Sequence, residues 1–244
     1  MILSLDLMKL GIFTLIYIII ISVIAVKMII ISFRVNNKAM LYAGLSHIGL
    51  AMAWSGCAFC FISIVFFNVI APIELYFLFH GIYIPIALFF WTITCLILLK
   101  IKLTIRKWLE IVLGIIFGIV LVIYIAIIFI DATLLGTYSN EIQVNYSPFY
   151  EIFLLYCTIH AISIGFWLAI QASKSVDQRV RLKSKFIFSS YSIYAVAAFL
   201  EITILYMDVI ILARILMVFM SILFYGGFIL PKWMEKLFLR NKEI

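Results

Sequence analysis

An arginine and a glutamate stand inside apolar runs long enough to cross a bilayer. Arg214 lies about five residues into the run 209–230, and Glu201 lies near the end of the run 186–205, with only a very short turn near Tyr206 and Met207 between them. An arginine deep in a membrane helix costs on the order of 2.5–3.5 kcal/mol on insertion scales unless it is paired or reaches the surface. Antiparallel helices joined by so short a turn bring the two residues to nearly equal depth, which predicts an ion pair. The other chemistry-bearing residues are more scattered. His47, His80 and His160 fall on three different runs and share no plane. One haem needs two histidines at similar depth on facing helices, and a zinc site needs three converging ligands. Neither pattern is present, so no cofactor, no metal and no catalytic residue is expected. Cys57-Ala-Phe-Cys60 has the spacing of a redox pair but lies mid-run among Trp54, Phe59 and Phe61, where a thiolate is disfavoured. Cys95 and Cys157 are also within apolar runs, so all four thiols are expected to be buried and free.

Helical phase groups the polar residues further. At 100° per residue, Ser221 and Tyr225 fall within about 20° of Arg214, one to either side, on one face. Ser190, Tyr194, Ala197 and Glu201 share a face of the preceding helix, and Tyr156, His160, Ser163 and Trp167 share a face of the run 148–171. Tyr76, His80, Tyr83, Ala87, Trp91 and Thr94 align along the run 72–98. Four helices with one polar or aromatic stripe each predict a bundle around a polar interior in its outer half. Two readings stay open: the interior is a ligand pocket formed by Arg214, Glu201, His80, His160, Tyr83, Tyr156 and Tyr194, or it is glue holding the helices together.

The elements that must position these residues follow from composition. The chain has 244 residues, 67% hydrophobic and 12% charged, and a mean hydropathy of +1.28, far from the balance of a soluble domain. Apolar runs at about 10–33, 40–67, 72–98, 108–131, 148–171, 186–205 and 209–230 predict an all-α, polytopic seven-transmembrane helix bundle, a single domain over 1–244. Sixteen of eighteen basic residues follow the first, third, fifth and seventh runs. The positive-inside rule then puts the N-terminus outside and the C-terminus in the cytoplasm of a multi-pass cell-membrane protein. The first run is too long for a signal peptide and ends in Lys27 and Arg34, so it is expected to be retained.

Proline marks several boundaries. Pro72 and Pro148 begin helices and Pro231 ends one, whereas Pro85 sits mid-run and predicts a kink about one turn earlier. The external loop 132–147 contains the glycosylation sequon Asn145-Tyr146-Ser147. Gly114-Ile-Ile-Phe-Gly118 is a small-residue pair through which a homo-oligomer or membrane complex could form. The basic loop Ser173–Ser184 faces lipid or a cytoplasmic partner, and residues 231–244 form an amphipathic basic cytoplasmic tail suited to the membrane surface. The bilayer, not nucleic acid, is the partner that this basicity implies.

Known seven-helix signatures exclude several classes. The last run contains no lysine for a retinal, no Asp-Arg-Tyr follows the third run, and no Asn-Pro-x-x-Tyr occurs in the seventh. The stretch from Glu74-Leu75-Tyr76-Phe77-Leu78 through Pro85-Ile86-Ala87 to Trp91 resembles a pattern in uncharacterised archaeal seven-transmembrane proteins. The overall plan is similar to the seven-helix sensor modules that precede histidine kinases. That resemblance implies a sensor or receptor-like module that signals to a separate partner. The alternative is a non-catalytic structural or assembly subunit of a membrane complex. An enzyme or transporter is disfavoured, because paired carboxylates and broken helix pairs are missing from the pattern.

Overall fold

The computed structural model describes residues 3–203 and 206–239, and nearly all of them are helical. Arg240 and Lys242 of the anticipated tail, and residues 204–205 at the anticipated end of the sixth run, lie outside the described residues. The helices are α1 (Leu5–Arg34), α2 (Lys38–Met52), α3 (Ser55–Phe67), α4 (Ile73–Gly81), α5 (Tyr83–Leu98), α6 (Leu103–Asp131), α7 (Pro148–Ser173), α8 (Gln178–Thr203), α9 (Met207–Ile229) and α10 (Lys232–Leu239). Their ends carry local signals. The side chains of Ser4, Asn37 and Ser147 accept hydrogen bonds from the backbone N–H groups of Leu7, Met40 and Tyr150, capping α1, α2 and α7. Pro148 takes the first turn of α7, where its missing N–H costs nothing. Leu230, in the left-handed region at φ 49°, ends α9 just before Pro231.

Six helices close a ring in the order α1, α2, α5, α7, α8, α9 and back to α1. Helix α6 stands outside that ring against α4 and α5, and buries only Tyr124 and Ile128. Five segments are long and apolar enough to cross a membrane: α1, α4 and α5 together, α6 with the turn after it, α7, and α9. The pair α2 and α3 makes a sixth when taken as one span. Helix α8 matches α7 in length but begins with Arg179, Arg181, Lys183 and Lys185, which lower its mean hydropathy below the others.

One expectation about regularity needs correction. The run 40–67 is not one helix: it breaks at Ala53 and Trp54 and bends by 49°. No proline causes the break. The single hydroxyl proton of Ser55 is shared between Met52 O at 2.7 Å and Phe79 O at 2.6 Å, tying the break to α4, and a Cβ on Gly56 would stand 2.6 Å from Tyr76 O. The broken helix that the sequence pattern did not reveal is thus held by close backbone approach. In the third run the interruption falls at Ile82, next to Gly81, four residues before Pro85, as the missing N–H of Pro85 requires.

The loop 132–147 is more ordered than its polar composition suggested. Residues Ala132–Leu134 form a 3₁₀ turn, and strands β1 (Gly136–Tyr138) and β2 (Val144–Tyr146) pair antiparallel with Gly136 opposite Tyr146. Leu135, Ile142 and Val144 are buried in a core shared with Leu10, Phe61, Phe77 and Tyr150. The hairpin therefore caps one end of the bundle. A second core, around Tyr17, Met28, Trp91, Cys95, Tyr191 and Phe224, fills the opposite half.

Candidate functional site

Helix α9 turns Ala213, Arg214, Met217, Met220, Ser221 and Phe224 inward. Arg214 is only 4% exposed. Its guanidinium Nη1 donates to Glu201 Oε2 at 2.8 Å, so the predicted ion pair between neighbouring helices is present. A third residue completes it. Trp54, released from helical geometry at the break between α2 and α3, donates Nε1–H to Glu201 Oε1 at 2.9 Å. The same indole lies 4.9 Å from the guanidinium carbon, a cation–π contact, and Tyr17 of α1 meets it edge-on at 5.2 Å. Both carboxylate oxygens of Glu201 are thus engaged, whereas buried Arg214 Nε has no hydrogen-bond partner among the described residues.

Beside this triad lies a cavity of about 720 Å³. It is walled by α2 and α3 (Gly49, Trp54, Cys57), α4 and α5 (Tyr76, His80, Trp91), α7 (Leu154, Thr158, Ala161), α8 (Tyr191, Tyr194, Glu201) and α9 (Arg214, Met217). Gln143, Asn145 and Tyr146 of the hairpin close one end of it together with Glu151. Its volume is within the range that encloses a drug-sized ligand. The walls are mostly aromatic and aliphatic, with the polar groups gathered near Arg214 and the hairpin. His80 is stacked between Tyr76 (5.7 Å) and Tyr146 (5.2 Å), and its Nε2 also has no partner among the described residues. The Tyr146 hydroxyl lies 3.4 Å from that of Tyr76, and Tyr138 donates to Ala71 O at 3.0 Å, which straps the hairpin to the helices. Burial pushes the phenols of Tyr138 and Tyr146 well above the ordinary tyrosine value.

The anticipated residues divide into two groups. Arg214, Glu201, His80 and Tyr194 line the cavity. Tyr83, Tyr156 and His160 do not line it. His160 instead meets Thr92 Oγ1 at 3.0 Å and the rings of Phe117 and Tyr156, between α5, α6 and α7, and Tyr156 is 59% exposed. The polar stripe expected to face inward from α7 therefore points outward, with Ser163 and Trp167 exposed as well. The inner face of α7 is instead built from Cys157, Ala161, Gly165 and Ala169, spaced one turn apart, where small side chains let neighbouring helices approach. Gly165 shows the closeness: a Cβ there would stand 2.5 Å from the Tyr191 ring. Tyr225 likewise turns toward α1, where Lys27 lies 5.2 Å above its ring.

Residues missed from the sequence are Trp54 and the hairpin group Gln143, Asn145 and Tyr146. A tryptophan mid-run beside Ser55-Gly56 was the only hint of the first, and the unusual length of the loop 132–147 the only hint of the others. Gly114 and Gly118 face outward on α6: nothing lies within 4 Å of a Cβ at Gly118, and only Phe89, at 3.6 Å, approaches one at Gly114. Among the described residues no group of three or more His, Cys, Asp or Glu side chains is arranged to hold a metal. All four cysteines are buried and free. In comparison with protein-family models and with curated proteins, the sequence matches none.

Proposed function

We propose that this chain is a seven-span membrane protein, N-terminus outside and C-terminus cytoplasmic, that acts as a sensor or receptor-like module for a small-molecule or lipid ligand. The observation that carries this reading is the cavity of about 720 Å³ bordered by the Arg214–Glu201–Trp54 triad. Glue alone needs no such space: helices held by polar cross-links pack most favourably when the gap between them closes. Helix α8, with 26 residues, is about 39 Å long and supplies the seventh span, its basic first turns lying at the cytoplasmic surface. The anticipated Ser173–Ser184 loop is short, because α7 ends at Ser173 and α8 begins at Gln178; this segment and α10 are near that surface, where Arg179 pairs with Glu235 at 2.6 Å and a change in helix packing would be passed to a partner. The likeness of the plan to seven-helix sensor modules points the same way.

The test is extraction and mass spectrometry of what copurifies with protein in nanodiscs, followed by hydrogen exchange at residues 173–184 with and without that molecule. A stoichiometric ligand, lost in Ala198→Trp, which fills space in the cavity one turn from Glu201, supports the proposal. No ligand, and no response in the loop, favours a structural or assembly subunit instead. One observation favours that second reading. Helix α6 lies outside the ring with Gly118 uncovered, a face on which a neighbouring helix could seat.

A further inference from the structure

The triad and the shape of the cavity restrict the chemistry of the ligand. Arg214 and Glu201 neutralise each other, and both oxygens of Glu201 are already taken, by Arg214 Nη1 and Trp54 Nε1. Two polar atoms in the cavity lining are buried and without a partner among the described residues: Arg214 Nε–H, which needs an acceptor, and His80 Nε2. An anionic head would satisfy Arg214 Nε–H but would leave one uncompensated charge in a buried site, a costly arrangement. A cationic head would set donor against donor. A neutral carbonyl oxygen meets the N–H without adding charge.

The route of entry is also visible. Ile152 and Leu155 of α7 line the cavity, yet they are 69% and 46% exposed, on the apolar flank of the bundle. The cavity therefore reaches the surface that would face acyl chains, and does so through aliphatic side chains. Beyond the triad its walls include Leu50, Leu88, Trp91 and Met217, suited to an apolar body.

We infer that the ligand is an uncharged lipophile with a carbonyl head, which enters sideways from the bilayer past Ile152 and Leu155 and places its carbonyl oxygen on Arg214. This rests on reading the cavity as a binding site. The test uses wild-type protein in nanodiscs with empty nanodiscs as the partition control, and four probes of matched length: methyl palmitate, hexadecanol, hexadecane and palmitate. Methyl palmitate is expected to bind roughly 10- to 100-fold more tightly than hexadecane, the effect of one hydrogen bond to a charged donor, and more tightly than ionised palmitate. Tighter binding of palmitate overturns the neutral head, and equal binding of ester and alkane overturns the anchor at Arg214. Failure of all four probes while another molecule copurifies overturns the ligand class alone; failure of all with nothing copurifying removes the binding reading itself. Arg214→Lys keeps a cation for Glu201 but removes Nε, and should abolish the ester-over-alkane preference. Should that variant fail to fold, the probe series on the wild type still decides. Leu155→Trp should slow the binding of all probes alike by obstructing the flank; unchanged binding rates overturn sideways entry.

Discussion

Trp54 and Glu201, 147 residues apart in sequence, are joined by an indole N–H donating to a carboxylate oxygen at 2.9 Å, and the indole also lies against the cation that balances that carboxylate. The arrangement ties the break between α2 and α3 to the paired helices α8 and α9. It also dictates what its disruption costs. Arg214→Leu leaves Glu201 as a partly buried charge without a counter-ion, and Glu201→Leu leaves Arg214 so. Each single substitution is expected to destabilise the protein by about 3–5 kcal/mol, whereas the double substitution to leucine should recover much of that loss. Unfolding in mixed micelles, arranged as a double-mutant cycle, measures the coupling; additive single effects would show that the pair does not act as a unit.

Trp54 contributes in two separable ways. Trp54→Phe keeps a ring over Arg214 and against Tyr17 but removes the donor to Glu201 Oε1, so a loss of about 1 kcal/mol is expected from one unsatisfied, partly buried acceptor. Trp54→Ala also empties the ring site and should cost more, about 3–5 kcal/mol. Thermal unfolding monitored by circular dichroism gives both values. Equal losses for the two variants would show that the hydrogen bond alone matters.

Most of what the sequence disclosed came from charge, because charge is expensive in lipid and its position is therefore constrained. Arg214 demanded a partner and the short α8–α9 connection left Glu201 as the near one, so their pairing was legible without coordinates. His80, Tyr76, Ala87 and Trp91 were legible because the helical period places them on one face of α4 and α5. On α7 the same reasoning failed, since hydroxyl and imidazole groups were weighted above size. There Cys157, Ala161, Gly165 and Ala169 set which face packs, and His160 found Thr92 outside the cavity. Trp54 was illegible for a different reason: its position depends on a helix break without proline, secured by tertiary contacts of Ser55 and Gly56 with α4. The hairpin was hidden as well, because its buried residues Leu135, Ile142 and Val144 are too few to give a strand period.

The glycines of α7 and α6 should respond oppositely to the same change. A side chain at Gly165 collides with the Tyr191 ring, so Gly165→Leu is expected to cost about 1–3 kcal/mol or more by forcing the α7–α8 contact apart. Gly118→Leu adds a side chain to open space and should alter monomer stability by no more than about 0.5 kcal/mol. Measuring both stability and mass in detergent separates two possibilities for α6. A Gly118→Leu chain of unchanged stability but reduced oligomer mass would identify this face as an interface, and unchanged mass would assign it to lipid.

Alkaline pH should loosen the hairpin. Tyr138 and Tyr146 are outside the spanning helices, and burial raises both phenols above the ordinary value near 10. A group whose folded pKa is raised contributes stability that is fully present below its unfolded pKa, so these two contribute theirs below about pH 10. Above that value the unfolded chain releases the phenol protons first, and stability falls progressively as pH climbs toward the folded values. The loss at Tyr146 would also separate its ring from His80 and uncover the hairpin end of the cavity, where Gln143 and Asn145 stand. Thermal unfolding across pH 8 to 11, in wild type and in Tyr138→Phe and Tyr146→Phe, measures this: each phenylalanine variant should lose less stability over the alkaline range than the wild type, although it starts lower. Parallel curves for all three would show that burial in the hairpin does not raise either phenol.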